Sequence, residues 1–225
     1  MAVRTAGDAR VALVTGGGRG IGQAISLKLA SDGFDVALVY KADLGAAETV
    51  AERIRDIGQK ALTLRSDMAD PKAASDLGER TTAGLGRLDV LVGNAGQILF
   101  KPFLETSVED YDRQSDTNAR GAFFTAQAAA KRMIEQGNGG RIVFITSEAA
   151  VRTYAGLSVY GMSKAALKTL TEMLAKELAA YDITVNAVAL GTTETALTVR
   201  LSPIQRRAEC CWDRSCSAVP DSPTT

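Results

Sequence analysis

Histidine is absent from the 225 residues. That removes Ser-His-Asp and Cys-His nucleophile pairs, histidine zinc ligands and any imidazole acid–base step, so chemistry must run on other groups and no metal site is expected. Charge is in surplus of neither sign, 26 Lys+Arg standing against 26 Asp+Glu, which gives no reason to expect nucleic acid or an anionic membrane as partner. Long apolar runs are missing as well. The longest stretches without a charge, such as 90–100 and 183–193, are 11 residues, where a membrane helix needs about 20. The first eight residues have no apolar core of a signal peptide, and cysteine is confined to Cys210, Cys211 and Cys216, so a reduced, cytoplasmic setting is expected.

What is present suits one domain: 46% of residues are hydrophobic, enough at this length for a single sizeable core. Short runs rich in Val, Ile and Leu occur at 11–15, 36–40, 61–65, 88–93, 141–146 and 183–189. They alternate with segments at 21–31, 46–57, 72–83, 108–136 and 159–179 whose apolar residues recur at helical spacing. Strands apolar on both faces and separated by helices indicate right-handed crossovers and a parallel sheet covered on both sides. The fold class is therefore α/β, a single-domain Rossmann-type doubly wound sheet of six strands.

Directly after the first run comes Thr15-Gly16-Gly17-Gly18-Arg19-Gly20-Ile21-Gly22, and then an amphipathic segment. Glycine permits backbone conformations and close approaches that a Cβ blocks, and the helix start offers free N–H groups and a positive dipole end to a pyrophosphate. The alternative is a strand-to-helix loop that binds nothing, but its place at the first strand–helix junction favours a dinucleotide. The acid that usually grips the ribose 2′-hydroxyl should end the second strand, where this chain has Tyr40 and Lys41. With Arg19 in the loop, two cations replace one carboxylate, so NADP(H) is expected over NAD(H), unless both are ordinary solvated charges. Asp67, with Met68 after the third strand, is placed to accept from the adenine amino group or to cap a helix. Asn94, Ala95 and Gly96, after the fourth strand, lie where the strand order reverses and the backbone can approach the ribose, Asn94 alternatively bracing the loop.

Tyr160 and Lys164 are four apart in a helical segment and share a face. An ammonium near a phenol favours phenolate and lowers the tyrosine pKa, an acid–base group that needs no histidine. Ser147, ending the fifth strand, emerges at the same carboxyl edge and can polarise a substrate oxygen.

Taken together, Thr15-Gly-x-x-x-Gly20-x-Gly22, Asn94-Ala-Gly96, Asn118, Ser147, Tyr160-x-x-x-Lys164 and the stretch 183–191 closely resemble the short-chain dehydrogenase/reductase family, in the single-domain form typified by 3-oxoacyl-acyl-carrier-protein reductases. The likeness runs from about 11 to 203. It implies an NADPH-dependent reductase that turns a ketone, a 3-oxoacyl thioester or similar, into a secondary alcohol. Tyr160 would donate the proton, Lys164 would tune it and hold the nicotinamide ribose, and Ser147 would position the carbonyl. Asn118 would support a proton-relaying water, a role that the residue itself, merely a poor helix former, does not announce. Gly191, Thr193 and Thr195 would contact the nicotinamide end. Relatives of this kind form tetramers through the two long helices and the terminal strand region, so a homodimer is expected here and a tetramer is not.

The pattern breaks near the end. Leu190-Gly191 stands where such relatives have Pro-Gly, and 206–225 contains no Leu, Ile or Phe but all three cysteines and the only tryptophan, Trp212. Residues 1–204 read as the NADP-binding domain and 205–225 as an aberrant, disordered tail in place of the usual substrate-covering helices and seventh strand. A second reading follows, a catalytically impaired dinucleotide-binding remnant.

Overall fold

The computed structural model describes residues 9–191 and 193. Thr195, the cysteines and the unusual end, 205–225, lie outside the described residues. Chain order is β1 (Val11–Thr15), α1 (Gly20–Ser31), β2 (Asp35–Tyr40), α2 (Leu44–Asp56), β3 (Ala61–Arg65), α3 (Pro71–Ser75), α4 (Leu77–Leu85) and β4 (Val90–Gly93). There follow α5 (Val108–Ser115), a π turn (Asp116–Arg120), α6 (Gly121–Gln136), β5 (Gly140–Ser147), α7 (Ser158–Glu177) and β6 (Ile183–Leu190). The six strands form one sheet in the order β3-β2-β1-β4-β5-β6, and every pairing is parallel. The order reverses between β1 and β4, and the crevice above that switch point is where ligands bind in open α/β sheets.

Strand parity divides the core in two. Ala12, Val14, Val36, Leu38, Val92 and Ile145 pack with Val50 and Ile54 of α2 on one face. Leu13, Ala37, Val39, Leu91, Ile142 and Phe144 pack on the other with Leu77, Met133 and Leu167. Both sets are nearly or fully buried, as strands covered on two sides require. Among the described residues nothing lies over Thr184, Asn186 and Val188 of β6, which are exposed. At the amino ends of the strands Asp89 accepts the Val11 amide at 2.8 Å and Asp35 the Lys60 amide at 2.8 Å, aligning chain entries to β1 and β3.

Two helical segments are more divided than their periodicity indicates. The segment 72–83 is two helices, broken at Asp76, with Asp70 capping the first and Pro71 opening it. The break accompanies a close approach of α4 to α6, where a Cβ on Gly78 would lie 2.8 Å from the Ala128 carbonyl oxygen. The segment 108–136 begins with a capping box between Ser107 and Asp110 and is interrupted by the π turn. Such turns inside α-helices frequently mark functional sites, and this one carries Asn118.

Candidate active site

The site assembles at the carboxyl edge of the sheet from four junctions. At the first, Gly16 adopts φ +65°, a region open to glycine, and the loop folds so tightly that a Cβ on Gly22 would meet the Gly16 carbonyl oxygen at 2.1 Å. Gly18 sits against Ala47 of α2. Helix α1 then starts from Arg19 with no side-chain cap and no acidic residue in its first turn, so its leading N–H groups face the crevice unshared. A pyrophosphate fits this cradle, which any side chain at Gly22 would fill.

Asn94 braces that loop from β4. Its Nδ2 donates to the carbonyl oxygens of Thr15, at 2.8 Å, and Gly16, at 3.3 Å, so the bracing alternative is what its side chain does. Thr15, the first residue of the glycine motif, completes the junction: its Oγ1 accepts from the amides of Asn94 and Ala95, both at 2.9 Å.

Asp67 has both carboxylate oxygens engaged, one by the Ala69 amide at 3.0 Å and the other by the Lys41 ammonium at 2.8 Å. The helix cap is Asp70, so the cap alternative for Asp67 is not what it does. Burial pushes the Asp67 carboxyl up, but its bonds to Lys41 and Ala69 outweigh this and leave its pKa below the usual value. Lys41 is therefore not the free cation expected from its position. The Met68 side chain is buried in the core, so its backbone is what it offers a cofactor.

At the reacting end, Ser147 closes β5, its Oγ accepting the Ala149 amide at 3.2 Å, and its hydroxyl stands near enough to the Tyr160 phenol of α7 to favour the phenolate. Lys164 is 4% exposed; its Nζ lies 5.8 Å from the Tyr160 ring centroid and donates to the Ile145 carbonyl oxygen at 2.9 Å. The expectation that this ammonium lowers the phenol pKa is corrected here. Burial raises the Tyr160 pKa, the Ser147 side chain opposes that rise, and Lys164 Nζ stands over the ring, 5.8 Å from its centroid, without lowering it. Burial acts on the lysine itself, lowering its pKa to about 8. Gly96 is the wall between these groups: a Cβ there would lie 3.3 Å from Asn118 Oδ1 and 3.4 Å from Lys164 Nζ.

Asn118 is fully buried and tied to two elements. Its Oδ1 accepts the Gln97 amide at 2.8 Å, and its Nδ2 donates to the Gln97 carbonyl oxygen at 2.9 Å and to Ser163 Oγ at 3.0 Å. Ser163 in turn donates to the Tyr160 carbonyl oxygen at 2.8 Å, so one hydroxyl joins Asn118 to the turn that bears the phenol. Ser163 escapes a reading of the sequence, although it lies between Tyr160 and Lys164 and on their helix. Gly191 lies next to the Glu148 carboxyl group, and Thr193 donates to the Gly191 carbonyl oxygen at 3.2 Å.

A family model described as short chain dehydrogenase matches residues 10–205. The chain belongs to the short-chain dehydrogenase family. It is similar to a short-chain dehydrogenase/reductase of Armillaria gallica, 40% identical with 88% of this chain and 76% of the other covered. Versicolorin reductase 1 of Aspergillus parasiticus is 38% identical, over 87% of this chain and 74% of that protein. Among solved structures, a short chain dehydrogenase from Burkholderia cenocepacia in complex with NADP superposes with a TM-score of 0.81 at 40% identity, covering 86% of this chain and 78% of that one. This short-chain dehydrogenase thus brings Ser147, Tyr160, Lys164 and Asn118 together at one edge, beside the glycine cradle. Among its described residues no helix is long and apolar enough to cross a membrane, and no cluster of acidic or sulfur ligands could hold a metal.

Proposed function

We propose that this dehydrogenase is an NADPH-dependent reductase of a ketone, with Tyr160 as proton donor. The observation that carries the reading is the placement of the Tyr160 phenol beside Ser147, with buried Lys164 5.8 Å from its ring centroid, at the edge where α1 leaves its N–H groups open. The cradle of Gly16, Gly18, Gly20, Ile21 and Gly22 would take the pyrophosphate. Asn94, Ala95 and Gly96 would flank the ribose, Asp67 and the Met68 backbone the adenine, and Gly191, Thr193 and Thr195 the nicotinamide end. NADP(H) is favoured over NAD(H) because Tyr40 and Lys41 end β2 without a carboxylate and Arg19 lies in the loop. The Burkholderia relative in complex with NADP is consistent with this preference.

When bound, reduced nicotinamide supplies a hydride to the carbonyl carbon. The chain's own groups handle the oxygen. Ser147 and Tyr160 hold the carbonyl oxygen between two hydroxyls, and Tyr160 passes its phenolic proton to the developing alkoxide, leaving phenolate. A phenol kept protonated by burial suits that role, since it remains far more acidic than the alcohol being formed. Lys164 holds its proton behind the ring, and Asn118, locked in the π turn, would anchor a water that returns a proton to Tyr160. The substrate class is a 3-oxoacyl thioester or a ketone of similar shape, in a reducing cytoplasm.

NADPH oxidation with a 3-oxoacyl thioester and with simple ketones, run beside direct NADP binding, tests the reading. Tyr160→Phe should lower reduction on the order of 10³-fold while leaving the NADP dissociation constant within about twofold. Retained turnover in that variant would put the acid elsewhere, and wild-type binding without turnover would select the impaired dinucleotide-binding remnant.

A homodimer belongs to the same reading. Phe123 and Phe124 of α6 and Leu170 and Met173 of α7 line a groove open to solvent, with Phe123 43% and Met173 55% exposed.

A further inference from the structure

Three cations lie near the end of β2, and they differ in what holds them. Lys41 is paired with Asp67 at 2.8 Å, so the two form a locally neutral unit. Arg19 is exposed at the start of α1, and its side chain caps nothing. Arg65 ends β3 directly opposite Tyr40 in the parallel register. Paired residues share a face, and Leu38, two residues before Tyr40, packs in the core beneath α2, so Arg65 projects on the side of α1 and α2. Gly18, next to Arg19, touches Ala47 on that same side. The Arg65 Nε donates to the Lys41 carbonyl oxygen at 3.4 Å, which turns the guanidinium over the end of β2. Among the described residues no ion pair engages its two terminal nitrogens.

Resting on the NADPH reading above, we propose that Arg65 discriminates the cofactor by receiving its 2′-phosphate together with Arg19, while Lys41 serves to neutralise Asp67. A guanidinium anchored through Nε presents its remaining donors as a planar fork matched to phosphate oxygens. Lys41 already spends its charge on Asp67, whereas Arg65 and Arg19 bring uncompensated charge to a phosphate.

Titration calorimetry of the full chain with 2′,5′-ADP and with 5′-AMP measures the contribution of the 2′-phosphate without turnover. Wild type should prefer 2′,5′-ADP. Arg65→Gln should reduce the ratio of the two affinities about tenfold with an unchanged thermal midpoint, and Arg65→Lys should fall between. The paired variant Lys41→Gln with Asp67→Asn, which leaves net charge unaltered, should keep the ratio within about threefold. A ratio untouched in Arg65→Gln but lost in the paired variant overturns the role of Arg65 and leaves the NADPH reading standing. Equal affinity of wild type for both nucleotides overturns that reading and the role of Arg65 together.

Discussion

Tyr160 and Lys164 show how much residue-level chemistry depends on surroundings that spacing alone does not reveal. Four-residue separation puts both on one face of α7, but which atoms meet is decided by β5, whose Ile145 carbonyl oxygen takes the ammonium 2.9 Å away. The buried ammonium has a pH signature. Its pKa is about 8 in the folded protein against an ordinary 10.5, so between those values the unfolded chain binds the extra proton. Stability therefore rises with pH across that window, and below it a constant penalty of about 3 kcal/mol remains. In Lys164→Met this rise should vanish, as denaturant titrations at pH 7.5 and about pH 10 on both proteins would show. An identical pH slope in the two proteins would mean that the lysine is solvated. The raised pKa of Tyr160 adds a direction: alcohol oxidation, which needs phenolate, should gain rate with rising pH well beyond neutrality.

At the scale of elements, the π turn is the feature that periodicity hides. Residues 108–136 carry a continuous helical pattern, and a π insertion changes no residue type; only tertiary contacts with Gln97 and Ser163 show why Asn118 sits where it does. Ser163→Ala would leave an Asn118 donor buried without a partner and should cost roughly 1–3 kcal/mol in chemical denaturation. It should also lower kcat more than it weakens NADP binding, since the hydroxyl ties Asn118 to the Tyr160 turn. The α6–α7 face gives a second test. Phe123→Glu places a charge on the exposed groove, and sedimentation should then report a monomer where the unaltered chain reports a dimer. An unchanged mass would move the interface elsewhere.

At the scale of the whole molecule, the site depends on strand ends being held in register. Phe144 is the largest fully buried side chain at this edge, three residues before Ser147, and its ring lies so close to Gly93 that a Cβ there would meet it at 2.7 Å. Phe144→Ala should lower stability by about 3–5 kcal/mol and weaken NADP binding as well, because β4 carries Asn94 and β5 carries Ser147. Calorimetric midpoints with and without NADP separate the two effects.

The alternation of strand and helix, the doubly wound class and the glycine cradle were legible in the sequence, because hydrophobic period and glycine placement are local properties of the chain. So was the grouping of Ser147 with Tyr160 and Lys164, since strand ends and helix faces in this architecture converge on one edge. The pairing of Lys41 with Asp67, the burial of Met68 and the rise in the Tyr160 pKa belong to the tertiary structure alone. Each depends on which distant segments pack against a side chain, and neither charge pairing nor desolvation has an address along the chain until the sheet brings those segments together.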